Sequence, residues 1–404
     1  MNERINQFLS VALRALLRTT VVCGATLASA IAQTWIQTSA PTNIWQHVAV
    51  SADATKITAV ALVGANYTST DGGSTWNSNS LRLAAHCIAS SADGSTLIAV
   101  GVQPEGTYIS HDAGADWNLV TNMPWNGGLV SSQRWDWRSV ACSANAGTIV
   151  AGAITQSGPG QLFVSTNAGA TWALASAPGG FALASSADGS RLVTGASSDL
   201  YTSTISGFSW TKKNGPTGFW WWVTASVDRT KLAAAIAVPD IGRIFTSTNA
   251  GDTWTMSGAP AAAWYTVSSS ADGSKLVAAA FGGGIYTSVD YGTTWESNSA
   301  PIADWISVVS SADGSKLFVL IRGGGIWTAQ ITPSPVLNIA SQNANLALSW
   351  TLPSTALILQ QTLDTTSTNW VTLSNAAVLN LTNLQNEVRL SLSLSNTFYR
   401  LSSP

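Results

Sequence analysis

The chain has 404 residues, of which 46% are hydrophobic and 9% charged, with a formal net charge of −2. That length and apolar content suffice for a large core and for two or three domains. Eighteen Lys and Arg residues are too few to build the basic face that a nucleic-acid ligand requires, so no nucleic-acid partner is expected.

Residues 1–32 read as an export signal. Arg4, Arg14 and Arg18 precede the apolar run TTVVCGATLASAIAQ, which closes on small residues at Ala28-Ser29-Ala30 or Ala30-Ile31-Ala32. The apolar part is shorter than the roughly 20 residues of a membrane-spanning helix. The mature chain is therefore expected to be secreted or periplasmic, within the cell envelope, with no transmembrane span after cleavage. Export would permit a disulfide, but Cys87 lies four residues before its repeat marker and Cys142 one before. That offset of three strand residues, about 10 Å, predicts two free, buried thiols.

Residues 33–331 repeat themselves. A marker Ser-x-Asp recurs at Asp53, Asp93, Asn145, Asp188, Asp228, Asp272 and Asp313, with spacings of 40, 52, 43, 40, 44 and 41. A period of this size fits a four-stranded propeller blade. Each unit parses into short strands: in residues 305–330 WISVVSS alternates, ADGS turns, KLFVLI runs apolar, and RGGG turns into IWTAQ.

A second marker follows the third strand of each unit, in the form Ser-x-Asp-x-Gly-x-x-Trp. It reads STDGGSTW at 69–76, SHDAGADW at 110–117, STNAGATW at 165–172, STNAGDTW at 247–254 and SVDYGTTW at 288–295, with a degenerate STISGFSW at 203–210. This resembles the Asp-box, or BNR, repeat of sialidases, of Asp-box glycoside hydrolases and of the photosystem II assembly-factor group of propellers. Asp71, Asp112, Asn167, Asn249 and Asp290 then act structurally, accepting backbone hydrogen bonds across a turn. Asn does the same acceptor work, whereas a catalytic Asp could not be exchanged for it.

The last unit lacks a fourth strand, and the orphan TWIQTSAPTNIW at 34–45 aligns without gaps to TWESNSAPIADW at 294–305. The fold class expected is all-β: a seven-bladed β-propeller closed by an N-terminal strand, which leaves only protected edges. Residues 332–404 break the repeat. After the linker TPSP, strands such as NLALSW and EVRLSLSL resemble a small fibronectin III-like β-sandwich module, serving as attachment element or stabilising cap.

Propellers bind at the mouth of their channel. Trp45, Trp137, Trp220, Trp264 and Trp305 each stand six residues before the marker Ser; Ala85 and Gly180 take the slot elsewhere, beside His86 and Phe181. A ring of Trp faces would suit sugar rings or a partner's aromatic side chains, and packing between blades is the competing reading. The longest spacing holds an insertion that adds Trp125, Arg134, Trp135 and Asp136 near the same mouth, and GFWWWV adds Phe219, Trp221 and Trp222. The ligand surface is expected there, taking a carbohydrate or a protein partner, with the protein a monomer.

Catalysis finds little support. The mature chain has three Glu residues, and the arginines a sialidase would cluster are scattered. Asp136 and Asp304, each just before a mouth Trp, are the best pair for an inverting glycosidase, which needs two carboxylates about 6.5 to 9.5 Å apart. They fall in blades three and seven, and Asp304 reads equally as a solvated loop residue. His47, His86 and His111 form no metal motif, the Gly-rich runs are hairpin turns, and no metal or cofactor is expected. Three functions stay open: a non-catalytic scaffold, an Asp-box glycoside hydrolase, and a purely structural envelope protein.

Overall fold

The computed structural model describes residues 34–330 apart from 82, 102–105, 124–134, 156–159, 197 and 238–241. It also describes 338–342, 345–351, 358–363, 370–373, 378–380, 385–391 and 397–402. The export signal, Trp125, Arg134 and the side chain of Trp135 lie outside the described residues. No helix occurs among those described, so none is long and apolar enough to cross a membrane. The fold divides into a unit of residues 32–331 and another that contains residues 332–404.

In the larger unit, antiparallel strands pair in sets of four. The first set runs Asn43–Val50, Ile57–Ala61, Tyr67–Ser69 and Asn77–Ser78. Four more sets follow over residues 85–256 in the same order, and a sixth over 264–297. The last set joins the two ends: Ala303–Ser310, Lys316–Gly324 and Ile326–Gln330 take Trp35–Gln37 as their fourth strand, with Trp35 opposite Ala329. The second strands are covered on both faces, so Ile57–Ala61, Leu97–Gly101 and Leu192–Ala196 are buried at every residue. This is why they read as apolar runs rather than alternating ones.

The first marker closes the ring at the end of each inner strand. Ser51 Oγ donates to Asp53 Oδ1 (2.5 Å), which also accepts from the Thr55 amide (3.0 Å), while the Lys56 amide donates to Ser51 Oγ (3.0 Å). The same bonds recur at Asp93, Asp188, Asp228, Asp272 and Asp313. The residue between Ser and Asp is thereby aimed at the next set. Ala52 N–H donates to Ala92 O, Ala92 to Ala144, Ala144 to Ala187, Ala187 to Val227, Val227 to Ala271, Ala271 to Ala312, and Ala312 back to Ala52, all at 2.7 to 2.8 Å. At strand-like spacing this closed belt of seven amides is roughly 11 Å across at the backbone. It forms the neck of the channel.

The second marker is a rim turn. Asp71 Oδ1 accepts from Ser69 Oγ (2.8 Å) and the Thr75 amide (2.9 Å), and Trp76 Nε1 donates to Gly73 O (3.1 Å). Asp112 and Asp290 accept in the same way, as do Asn167 and Asn249. The carboxylates are spent on the turn. The residue after the acceptor has positive φ, which Ala113, Ala168, Ala250 and even Tyr291 (61°) adopt here because the turn bonds hold them, and Ser206 keeps it in the degenerate copy.

The cysteines of this unit are free; Cys87 is buried and Cys142 half-buried. Residues 338–402 contain a four-stranded sheet, ordered Asn338–Gln342, Asn345–Thr351, Gln385–Ser391, Val378–Asn380. A three-stranded sheet is ordered Val371–Thr372, Ile358–Thr362, Phe398–Ser402. Leu348 and Val388 from the first meet Leu359 from the second in a shared core.

Candidate binding mouth

The five repeated tryptophans do not form the ligand surface expected of them. Trp45, Trp137, Trp220, Trp264 and Trp305 are 0 to 1% exposed. Each packs between its own set and the preceding one: Trp220 joins Val223 and Ala234 to Ala182 and Val193, and Trp264 joins Val267 and Ala278 to Ala235 and Ile244. Trp264 Nε1 and Trp305 Nε1 donate to Pro260 O (2.9 Å) and Pro301 O (3.2 Å), the prolines of the repeated SAP and GAP turns. Burying so large a ring favours this packing over exposure.

What turns them inward also re-aims the residue that follows, outward in every set but the seventh, where Ile306 is 6% exposed and joins the core of the first and seventh sets. In six of the seven sets the pairing of first and second strands slips by one residue directly after this slot: Trp220 faces Ile236, yet Trp222 faces Ala235. Equivalent shifts follow Trp45, Ala85, Trp137, Trp264 and Trp305. Such a β-bulge leaves one residue unpaired and re-aims its side chain. The bulged residues are Gln46, His86, Arg138, Trp221, Tyr265 and Ile306, and Phe181 holds the matching place in the fourth set.

These residues and their neighbours touch in sequence around the mouth. His86 Nε2 lies 3.3 Å from Asp136 Oδ1, and Arg138 Nη2 donates to Asp136 Oδ2. The Arg138 guanidinium lies 5.7 Å from the Phe181 ring centre. Phe181 meets Phe219 (5.2 Å) and Trp221 (5.4 Å, edge-on), Phe219 meets Trp221 (5.2 Å), Trp221 meets Tyr265 (5.2 Å), and Tyr265 meets Phe281 (6.0 Å). Phe219 and Phe281 are 36% and 38% exposed, and Phe181, Trp221 and Tyr265 are half-buried. The result is an arc of five rings with one ion pair at its end.

Beneath the arc the channel is filled. Trp222, on the fifth inner strand, meets His47 of the first at 4.8 Å between ring centres, the rings tilted by 37°. It also packs against the core of the second and third sets and that of the fifth and sixth. One indole therefore reaches elements from most of the ring. His47 is buried, with Nδ1 3.1 Å from Ile88 O and 3.9 Å from Cys87 Sγ. Burial outweighs its bond to Ile88 and pulls the imidazole down to about 4, so the floor is uncharged at neutral pH.

Asp136 and Asp304 fare differently. Burial raises the Asp136 carboxyl, but the His86 hydrogen bond and the Arg138 charge outweigh it and hold the group below the ordinary carboxylate range. That is the wrong direction for the general acid of a glycosidase. Asp304 is exposed and lies opposite Phe281 where the sixth and seventh sets meet. Among the described residues no cluster of His, Cys, Asp or Glu has the make-up of a metal site. Tyr265, Phe281 and Arg138 are the mouth residues that sequence reasoning missed. For Arg138 and Tyr265 the signal was adjacency to the repeated slot, hidden because each copy fills the place differently; Phe281 lies on the second strand, opposite Asp304, and left no such signal.

No protein-family model matches the chain, and no curated protein matches it. Solved structures do. YCF48 from Cyanidioschyzon merolae aligns with a TM-score of 0.54 at 17% identity, over 73% of this chain and 98% of its own. A structure of YCF48 bound to D1 peptide gives 0.52 at 17%, over 74% and 97%. The Cps50 (Swd1) β-propeller domain of Myceliophteria thermophila gives 0.55 at 11%, over 74% and 100%. Identities this low speak for the fold alone: the larger unit is an all-β propeller.

Proposed function

We propose that the chain is an exported, seven-bladed β-propeller of Asp-box type, closed by its N-terminal strand and followed by a small β-sandwich. It works as a non-catalytic scaffold that recognises a protein partner at the channel mouth. The observation that carries this reading is the arc from Arg138 through Phe181, Phe219, Trp221 and Tyr265 to Phe281. Half-exposed aromatic rings beside an arginine are the composition of interaction hot spots. The peptide complex of YCF48 shows that this fold can serve such a role.

A carbohydrate ligand is the second reading, favoured by the same open rings beside the polar group of His86, Asp136 and Arg138. One experiment separates the two. The full chain and its Trp221→Ala variant are screened on a glycan array and, in parallel, used for cross-linked capture from envelope extracts. A captured protein lost with Trp221→Ala supports the first reading. Glycan binding lost with Trp221→Ala supports the second, and no ligand in either screen favours a purely structural envelope protein.

A further inference from the structure

We infer that the mouth is a closed cup that takes one uncharged aromatic or large aliphatic side chain, presented end-on from a loop tip of the protein partner. This rests on the protein-partner reading above and adds the form and chemistry of what is bound.

Three observations lead there. The first is the floor. Trp222 crosses the lumen to meet the His47 ring and packs on the walls between, and beyond it the channel narrows to the amide belt. From the bulged residues to that belt is six residues of strand, roughly 20 Å, and a polypeptide cannot pass through it. An extended segment could only cross the rim, whereas a side chain on a tight turn can descend to the floor.

The second is the wall. Phe181, Trp221 and Tyr265 are half-buried, and their ring contacts at 5.2 to 5.4 Å hold them at fixed angles. Rings already braced by one another lose little entropy on binding, which favours a rigid apolar guest.

The third is charge. The carboxylate of Asp136 is paired with Arg138, whose guanidinium is already set against Phe181. The pair sums to zero, and His47 in the floor is neutral. A cationic or anionic side chain entering the cup would lose its water and meet charges that already face each other, with His86 on the other side of Asp136 and only buried atoms such as Arg138 Nε left without a hydrogen-bond partner.

The test uses the full chain and disulfide-closed hexapeptides with one variable tip residue: Phe, Leu, Ala, Asp or Lys. A linear peptide carries the same Phe between two proline runs, which hold it extended. Binding is read by fluorescence anisotropy on labelled peptides. The Phe and Leu tips are expected to bind at least tenfold tighter than Ala, Asp or Lys, and tenfold tighter than the proline-flanked peptide. Trp221→Ala is expected to erase the preference for Phe, and Trp222→Ala, which opens the floor, to let the proline-flanked peptide catch up. Should Trp222→Ala not fold, the cyclic-against-linear comparison in the wild type decides alone. Equal binding of all tips, or a Phe preference that survives Trp221→Ala, overturns the cup. A captured partner indifferent to Trp221 also overturns it while leaving the protein-partner reading intact; glycan binding without peptide binding overturns both.

Discussion

The two ends of the channel are built from the same inner strands and differ in one respect. At the neck all seven copies do the same thing: a Ser-x-Asp or Ser-x-Asn turn aims one amide at the next, and six of the seven residues in the belt are alanine. At the mouth the equivalent positions hold Gln46, His86, Arg138, Phe181, Trp221, Tyr265 and Ile306, no two alike. Identical residues mark what the architecture needs everywhere, since each repeat must stack on its neighbour in the same way. Sites where equivalent positions diverge are free of that demand, and there a binding surface can be written.

The adjacent pair Trp220 and Trp221 tests this division most sharply. Trp220 is 1% exposed and locked between two sets, with its Cβ filling the space that Gly195 leaves open. Trp220→Ala is expected to cost about 3 to 5 kcal/mol in urea unfolding, the range for a large buried ring replaced by a cavity. Trp221→Ala, which removes three ring contacts from a half-buried side chain, is expected to cost about 1 to 2 kcal/mol while abolishing ligand binding. Equal losses of stability from the two variants would erase the distinction between a structural and a recognition slot.

Acid should act on the two ends of the channel in different pH windows. Hydrogen bonds from the marker serines and from turn amides pull Asp93, Asp188 and Asp228 down to about 2. A carboxyl with a lowered pKa in the folded state stabilises fully above its unfolded pKa of about 3.9, and that stability fades as pH falls towards 2. His47 acts at higher pH: its imidazole is held down to about 4 in the fold, so the unfolded chain alone takes up its proton between pH 6.5 and 4, and stability falls across that window. Thermal midpoints are therefore expected to decline in two stages, first between about pH 6.5 and 4 through His47 and then between about pH 4 and 2 through the turn carboxylates. A midpoint that falls no further between about pH 4 and 2 would show that the turn carboxylates contribute nothing to the belt.

How much of this was legible in the sequence follows from the same contrast. The repeat of an acceptor at fixed spacing gave both turns, because Asp or Asn, a positive-φ residue and a hydroxyl have to recur for the turn to recur. The pairing of Trp35–Gln37 with Ile326–Gln330 was foreshadowed by the ungapped match of residues 34–45 to 294–305. The depth of the five tryptophans was legible only as one of two readings, packing between blades or a ring at the mouth, since the bulge adds one residue between Trp and marker and so flips the two-residue parity on which inside and outside are counted. Tyr265 and Arg138 were hidden for a different reason: a position that differs in every copy leaves no trace in self-similarity.

The rim turns give a comparison of their own. Asn249 Oδ1 accepts from Ser247 Oγ (3.0 Å) and the Thr253 amide (2.9 Å), so Asn249→Ala is expected to cost about 1 kcal/mol, whereas Asn249→Asp keeps the acceptor and should change little. A urea midpoint as low for Asn249→Asp as for Asn249→Ala would mean the amide nitrogen, which donates to Thr253 Oγ1 (2.9 Å), matters more than the acceptor.

The smallest expected effect runs the other way. In the fourth set the acceptor is replaced by Ile205, yet the Gly207 amide still donates to Ser203 Oγ (2.9 Å) and Trp210 Nε1 to Gly207 O (2.9 Å). The turn survives on half its bonds, with Ile205 53% and Phe208 63% exposed. Ile205→Asn would restore a partner for Ser203 Oγ and for the Ser209 amide in a backbone already shaped to receive it. A gain of about 0.5 to 1 kcal/mol is expected, read as a raised urea midpoint. A loss would show that the exposed isoleucine is held there by contacts the other five turns do not make, and that this copy, like the mouth, diverged because the architecture left it free to.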